Sequence, residues 1–299
     1  MALIIGTNEK GGTFNTQGEA LAEMLRLKVG FDDIEILTTP NASVANAGHL
    51  DRGEAQFGFM ASNWIGRAHK GTAPFDHPIA LRMASPANAG PMFFVTQTES
   101  GLEKISDIRG KRLAVGVEDG GMTQHVHTIF DVLGISFDDF TPVYINFADG
   151  ADALASGEVD AQWQCPIPNQ LMTELAERCE LRVLPYGDGE LDRLLDKVQF
   201  YRRATVPAGA FRGHGADSDQ VGVLNVLMTH ESVDDDLVCR VVGAMAENTA
   251  LMAGISPLYA TLAPLYEPLR TSGEAALTIT GVPLHPGAVR AYAEAGLLG

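Results

Sequence analysis

The sequence predicts an α/β fold of two similar lobes, each a mainly parallel sheet flanked by helices. Short apolar strands alternate with segments of helical periodicity. The order strand, helix, strand, helix, strand occurs twice, over residues 3–60 and again over 113–164. Two copies are too few for a solenoid, so the repeat predicts two lobes of the same design.

The first copy begins with the apolar strand "LIIGT", the turn "NEKGG" and the helical segment "TFNTQGEALAEML". Leu21, Met24, Leu25 and Lys28 follow the i, i+3, i+4, i+7 spacing of one helix face. That face packs on the sheet, and the lysine stem leaves the core at its end. A strand in "DIEILTT", a helix in "SVANAGHLDRGE" and a strand in "AQFGFMAS" complete the copy.

The second copy repeats this order with "LAVG", "VEDGG" and a helix in "MTQHVHTIFDVLG". Val126, Ile129, Phe130 and Leu133 have the same facial spacing as the residues of the first helix. The strand "TPVYINF", the helix "ADGADALASGE" and the strand "DAQWQCP" follow. The matching segments "RGEAQFGF" and "SGEVDAQW" make the repeat plainest, and they predict equivalent positions in the two lobes.

A glycine pair stands between the first strand and first helix of each copy, at Gly11-Gly12 and at Gly120-Gly121. Glycine lets the backbone approach a ligand, and the following helix start offers unpaired N–H groups and partial positive charge. Each pair alone could be a plain strand-to-helix turn. Its repetition favours two anion-binding loops at a ligand cleft between the lobes, because ligands bind at the carboxyl ends of parallel strands.

Nucleotide cofactors do not fit the first glycine loop. Its lysine, Lys10, precedes the glycines, whereas a P-loop requires lysine after them, and "GTNEKGG" lacks the G-x-G-x-x-G spacing. The composition also argues against nucleic acid and anionic membrane surfaces as partners, since the formal net charge is −17 and the pI about 4.7. We therefore expect no cofactor and no nucleic-acid partner.

The sequence gives little support for a metal site or a catalytic nucleophile. His125 and His127 lie about 200° apart around a helix, so they cannot face one ion. Cys165, Cys179 and Cys239 have neither CxxC pairing nor metal-ligand spacing, which is typical of small buried side chains. We therefore expect no metal site and no catalytic residue.

Six segments together resemble the TAXI family of solute-binding proteins of TRAP transporters. They are "IIGTNEKGGTFNTQGEALAEML", "SVANAGHLDRGEAQFGFMASNW", "GLEKISDIRGKRLAVGVEDGGMT", "INFADGADALASGEVDAQW", "ATVPAGAFRG" and "VPLHPGAVRAYAEAGLL". The resemblance covers essentially the whole chain in order. "SDIRGKRLAVG" is a general mark of type II periplasmic-binding-protein folds, whereas the first segment with "PLHPGA" is more specific.

The resemblance implies a hinged receptor that is not an enzyme and that delivers a small carboxylate to TRAP-type membrane permease subunits. Lobe 1 would hold residues 1–96 and 208–299, and lobe 2 residues 97–207. It also implies a periplasmic location. The segment after Met1 has no charged n-region, long apolar region or A-x-A site, so the chain as it stands is expected to carry no secretion signal. It would then be a mature form with an added Met1, or a cytoplasmic protein.

The resemblance also implies ligand-binding residues, which follow the strand ends of both lobes. They are Gly12, Thr13, Phe14, Asn15, Ser62, Asn63, Trp64, Gly121, Met122, Thr123, Trp163 and Phe211. Relatives often have two tyrosines where this chain has Phe14 and Asn15. This difference favours a ligand with a more apolar or aromatic body than glutamate.

Three functions stay open from the sequence. The first is the solute receptor. The second is an enzyme on the same two-lobed scaffold, such as a cytoplasmic decarboxylase of aromatic carboxylates. The third is a cytoplasmic ligand sensor. The residues named for the cleft are Thr, Asn, Ser, Trp and Phe and include no evident acid–base pair, which favours binding over catalysis.

Overall fold

The chain folds into two compact α/β units, as the sequence predicts. The computed structural model describes residues 2–10, 12–39, 42–118, 121–164, 170–198 and 200–299. Unit 1 comprises Met1–Ala89 and Leu224–Gly299, and unit 2 comprises Gly90–Val223. The first glycine of each predicted pair, Gly11 and Gly120, lies outside the described residues, as does Cys165.

Unit 1 begins with alternating strands and helices. They are β1 (Leu3–Thr7), α1 (Thr13–Val29), β2 (Ile34–Thr38), α2 (Ala42–Asp51), β3 (Phe57–Ala61) and α3 (Ser62–Lys70). The long strand β4 (Leu81–Gln97) then carries the chain into unit 2.

Unit 2 repeats the alternation before the chain returns. Its elements are β5 (Arg112–Ala114), α4 (Gly121–Leu133), β6 (Thr141–Val143), α5 (Phe147–Ser156), β7 (Ala161–Gln164), α6 (Gln170–Arg178), β8 (Leu181–Val183), α7 (Glu190–Lys197) and β9 (Tyr201–Val206). Strand β10 (Ser218–His230) leads back into unit 1. There α8 (Asp235–Glu247), α9 (Thr249–Ile255), α10 (Leu262–Tyr266), α11 (Leu269–Ser272) and α12 (Pro286–Glu294) end the chain. No helix in the described part of the chain is long and apolar enough to cross a membrane.

The repeat is visible in the strand pairing. Strand β1 pairs in parallel with β2 and β3, and β5 pairs in parallel with β6 and β7. In each copy, therefore, the first strand lies between the other two. The sheets are mixed rather than mainly parallel, because β10 runs antiparallel to β3 and β9, and β4 runs antiparallel to β7 and β8.

The units divide inside strands rather than in loops. The division falls after Ala89 in β4 and after Val223 in β10, whereas the sequence places the boundaries at 96/97 and 207/208. Strand β4 has 17 residues and β10 has 13. Each continues as a mostly buried strand through the division, with Gly90 and Pro91 of β4 and Gly222 of β10 standing beside it.

The predicted helix faces are buried. In α1, Leu21, Met24 and Leu25 have no exposed surface, while Lys28 is exposed. In α4, Val126, Ile129 and Phe130 are likewise fully buried. The two predictions of an amphipathic helix after the first strand are confirmed.

In unit 1 the amide side chain of one helix residue packs against glycines on two neighbouring strands. Gly6 of β1 and Gly58 of β3 are register neighbours, and Asn46 of α2 lies against both. Its Nδ2 donates to the carbonyl of Phe59 at 2.8 Å. A Cβ on Gly6 would lie 2.6 Å from Asn46 Oδ1, so glycine is required here for close packing.

Unit 2 has the same contact between an amide and a glycine, but the two residue types are exchanged between helix and strand. Here the amide is on the strand, at Gln162 of β7, and the glycine is on the helix, at Gly150 of α5. Gln162 Nε2 donates to the carbonyl of Phe147 at 2.9 Å, and a Cβ on Gly150 would lie 2.5 Å from that nitrogen. The second helix of each copy is therefore held against its sheet by one buried amide.

Replacing Gly6 by alanine is expected to lower the free energy of unfolding by about 1–3 kcal/mol, because the added methyl overpacks the Asn46 site. The control is Gly254→Ala in α9, where a Cβ meets nothing within 4 Å. That change is expected to be neutral or stabilising, by up to about 1 kcal/mol. Urea unfolding of both variants measures the difference, and equal stabilities would contradict the packing argument.

Candidate functional site

The candidate site consists of the carboxyl ends of the parallel strands, where ligands bind in open α/β sheets. In unit 1 this region comprises residues 8–10, 12–15 and 62–64, and we call it the first strand-end surface. In unit 2 it comprises residues 115–118, 121–123 and 144–147, and we call it the second strand-end surface. Both follow from the repeat, since α1 starts after β1 and α4 starts after β5.

The first strand-end surface is organised by Asn8, which the sequence does not single out. Asn8 Oδ1 accepts a hydrogen bond from the backbone N–H of Asn15 at 2.7 Å, and so caps α1 from outside the helix. Gly12 precedes the helix with an extended backbone, φ −75° and ψ 168°. A Cβ on Gly12 would lie 2.0 Å from Asn8 Nδ2. The glycine therefore makes room for the capping amide.

The three residues after Gly12 differ in accessibility. Thr13 is half-buried, whereas Phe14 and Asn15 keep only 8% and 2% of their surface exposed. The Phe14 ring stacks on Phe59 of β3 with 5.9 Å between centroids, so it belongs to the core. Of these three predicted ligand residues, Thr13 presents the most side-chain surface to solvent.

The third strand of unit 1, β3, is followed directly by Ser62, Asn63 and Trp64, which open α3. Ser62 is 1% exposed. The Oδ1 of Asn63 is buried and has no hydrogen-bond partner among the described residues. Trp64 is half-buried, with the Arg67 guanidinium 5.4 Å from its ring centroid. Asn63 thus offers an acceptor that no described residue uses.

A buried amide cluster lies one turn further along α1. Gln17 Nε2 and Asn225 Nδ2 both donate to Asn88 Oδ1, each at 2.9 Å. Tyr259 donates its hydroxyl to the Gln17 carbonyl at 3.1 Å. The cluster ties α1 to β4 and β10 beside the points where the chain leaves and re-enters unit 1. The sequence signal was weak, because the three amides lie far apart along the chain.

The second strand-end surface is held together by Thr123. Its Oγ1 lies 2.7 Å from the Val117 carbonyl oxygen and 3.1 Å from the Val115 carbonyl oxygen, so the two acceptors share its single O–H proton. Thr123 is 2% exposed. Gly116 between the two carbonyls has φ 102°, a conformation that favours glycine. The hydroxyl therefore links the start of α4 to the segment that follows β5. The neighbouring Gly121 and Met122 are half-buried.

The two remaining predicted residues lie in the core of unit 2. Trp163 has no exposed surface and packs on Phe94, with 4.6 Å between ring centroids. Phe211 is 9% exposed and stacks on Phe93 at 6.1 Å. The burial of these two rings and of Phe14 leaves them little surface for a ligand, and their ligand contacts stay a prediction.

The two histidines of α4 lie on opposite sides of the helix, as the spacing predicts. His127 is exposed and stacks on Phe137, whereas His125 is buried with its Nδ1 2.8 Å from the Tyr201 hydroxyl. Burial lowers the pKa of His125 to about 4. Among the described residues, no group of three or more potential ligands could hold a metal ion.

Known proteins match this chain over nearly its whole length. The pattern of the NMT1-like family matches residues 5–296. The chain belongs to the NMT1-like family. Structurally, this NMT1-like chain is similar to a TctC solute-binding protein from Polaromonas, with 14% identity, 99% of this chain and 96% of that chain covered, and a TM-score of 0.53.

Two further structures are similar at a TM-score of 0.50. One is a periplasmic substrate-binding protein of an ABC transporter from Coxiella burnetii, with 11% identity and coverage of 88% of this chain and 98% of that chain. The other is a Xanthomonas citri protein solved with ATP bound, with 13% identity and coverage of 98% and 95%. At these identities the similarity establishes the fold of solute-binding proteins but does not indicate which ligand this chain binds.

Replacing Thr123 by valine is expected to lower the free energy of unfolding by about 1–2 kcal/mol, because the Val115 and Val117 carbonyls lose the hydroxyl donor that they share. Thr123→Ser keeps the hydroxyl and is the matched control, with a smaller loss. Denaturant unfolding measures both. A valine variant as stable as the wild type would mean that the hydroxyl does not fasten α4.

Acid should destabilise the protein through His125. An unfolded histidine titrates near pH 6.5, so between about pH 6.5 and 4 the unfolded chain binds the extra proton. The stability contribution of neutral His125 is therefore present above pH 6.5 and is lost as the pH falls, by about 3 kcal/mol at most.

The measurement is the free energy of unfolding of wild type and His125→Gln at pH 7 and pH 4.5. The stability difference between the two proteins is expected to shrink at the lower pH. The control is His127→Gln, which makes the same replacement at an exposed position of the same helix. A constant difference for His125→Gln would show that burial does not hold this histidine neutral.

Proposed function

We propose that this chain is the solute receptor of a TRAP-type transporter and that it binds a small carboxylate. The observation that carries the proposal is the repeated architecture. In both units a helix starts at the carboxyl end of a central strand that has parallel neighbours on both sides. Such a helix start offers N–H groups and partial positive charge to an anion.

Family and fold support this proposal. The chain belongs to the NMT1-like family, and two of the similar structures are named as solute-binding or periplasmic substrate-binding proteins. We propose the same role outside the cytoplasm for this chain, with TRAP-type permease subunits as its membrane partner. The resemblance of its motifs to the TAXI family is what favours TRAP over other transporters.

The charge balance explains why neutral groups would hold the anion. The formal net charge is −17, so long-range attraction does not favour an anionic ligand. At contact range, helix-start amides and uncharged donors can still stabilise it. In unit 1 the half-buried Thr13 carries a hydroxyl at the first position of α1. We propose that this hydroxyl and the amides beside it bind the carboxylate.

Binding is tested by thermal unfolding with glutamate, succinate, 2-oxoglutarate and phenylacetate. A receptor gains RT ln(1 + [L]/Kd), about 2.7 kcal/mol at a hundredfold excess over Kd. Thr13→Tyr is expected to abolish the shift, because the larger side chain fills the start of α1. Glu19→Tyr adds the same ring at an exposed position of α1 and should keep the shift.

Two results would overturn the proposal. One is the absence of a shift from every carboxylate, and the other is release of carbon dioxide from one of them, which would indicate a decarboxylase. A shift that survives Thr13→Tyr would leave a receptor whose ligand binds away from α1.

A further inference from the structure

We propose that Val117 and Tyr144 are the specificity-determining residues of unit 2 and that they contact a flat, apolar part of the solute. The inference rests on the proposed function, since it assigns a ligand class to a receptor. It differs from the sequence prediction, which assigned the aromatic contacts to other residues.

The first observation is exposure. Val117 is 53% exposed and Tyr144 41%. In the described part of the chain, one other large hydrophobic side chain is exposed, that of Leu27 near the end of α1. Single exposed hydrophobic residues scattered over a surface need no explanation, whereas these two follow neighbouring paired strands. Both belong to the second strand-end surface.

The second observation is position. Ala114 of β5 and Val143 of β6 are register partners, and the Val115 N–H donates to the Val143 carbonyl at 3.1 Å. Tyr144 follows Val143 directly, and Val117 follows Val115 by two residues. The two side chains therefore leave neighbouring parallel strands at the same end, which is the end at which ligands bind in such sheets.

The third observation is that two polar side chains in the described part of this surface, those of Thr123 and Asn146, already have hydrogen-bond partners within unit 2. The Thr123 hydroxyl donates to the Val115 and Val117 carbonyls. Asn146 Oδ1 accepts from the Asp149 N–H at 2.9 Å, and its Nδ2 donates to Asp149 Oδ2 at 2.7 Å. Besides the N–H groups at the start of α4 and the exposed Glu118, the described part of this surface therefore presents an aliphatic side chain and a phenol ring.

These features select the ligand by chemistry. A phenyl or branched hydrocarbon body can bury apolar area against Val117 and Tyr144. The exposed Glu118 beside Val117 would repel a carboxylate placed against these two side chains. The solute class is therefore a monocarboxylate with an aromatic or branched apolar body, rather than a short dicarboxylate.

The experiment measures the affinities of phenylacetate and succinate by calorimetry for the wild type and three variants. Phenylacetate is expected to bind more tightly than succinate. Tyr144→Ala should weaken phenylacetate by about tenfold, in the range of an aromatic contact, while Tyr144→Phe keeps the ring and stays close to the wild type. Leu27→Ala removes an equally exposed side chain in unit 1 and should change nothing.

Unfolding of the ligand-free variants separates recognition from structure. Tyr144→Ala is expected to leave the melting temperature unchanged because the ring is exposed. A lower melting temperature would make Tyr144 structural and overturn the inference. Tighter binding of succinate, with no effect of Tyr144→Ala, would overturn the inference and leave the receptor function standing. If no carboxylate binds, both fail.

Discussion

The arrangement of both units depends on side chains that fasten a helix start to the strand before it. In unit 1 the Asn8 carboxamide caps α1 through the Asn15 N–H, and in unit 2 the Thr123 hydroxyl donates to the Val115 and Val117 carbonyls. An unsatisfied backbone group at a buried helix end is costly, so these contacts define where each helix begins. These contacts set the positions of Thr13 and of residues 121–123 at the two helix starts.

The two units repeat one design but present different chemistry at their strand ends. Unit 1 offers a hydroxyl at Thr13 and an unused acceptor at Asn63 among the described residues. In unit 2 the Thr123 and Asn146 side chains are hydrogen-bonded within the unit, and Val117 and Tyr144 are exposed.

The predicted aromatic contacts show where reasoning from residue type reaches its limit. Phe14, Trp163 and Phe211 stand beside the right turns in the sequence, yet each is at most 9% exposed. An aromatic ring at a strand end can face the core or the solvent, and its identity does not distinguish the two. Tyr144 lies in a strand segment of the repeat and is exposed because β6 ends one residue before it.

The sequence by itself determined the α/β class, the repeated strand and helix order, the buried faces of α1 and α4 and the separation of His125 from His127. These depend on local periodicity, which a single chain carries in its own residues. Only the tertiary structure decided the mixed sheets, the unit boundaries inside β4 and β10, the capping role of Asn8 and the amide cluster around Asn88. These depend on contacts between residues far apart in the chain, whose partners no local pattern specifies.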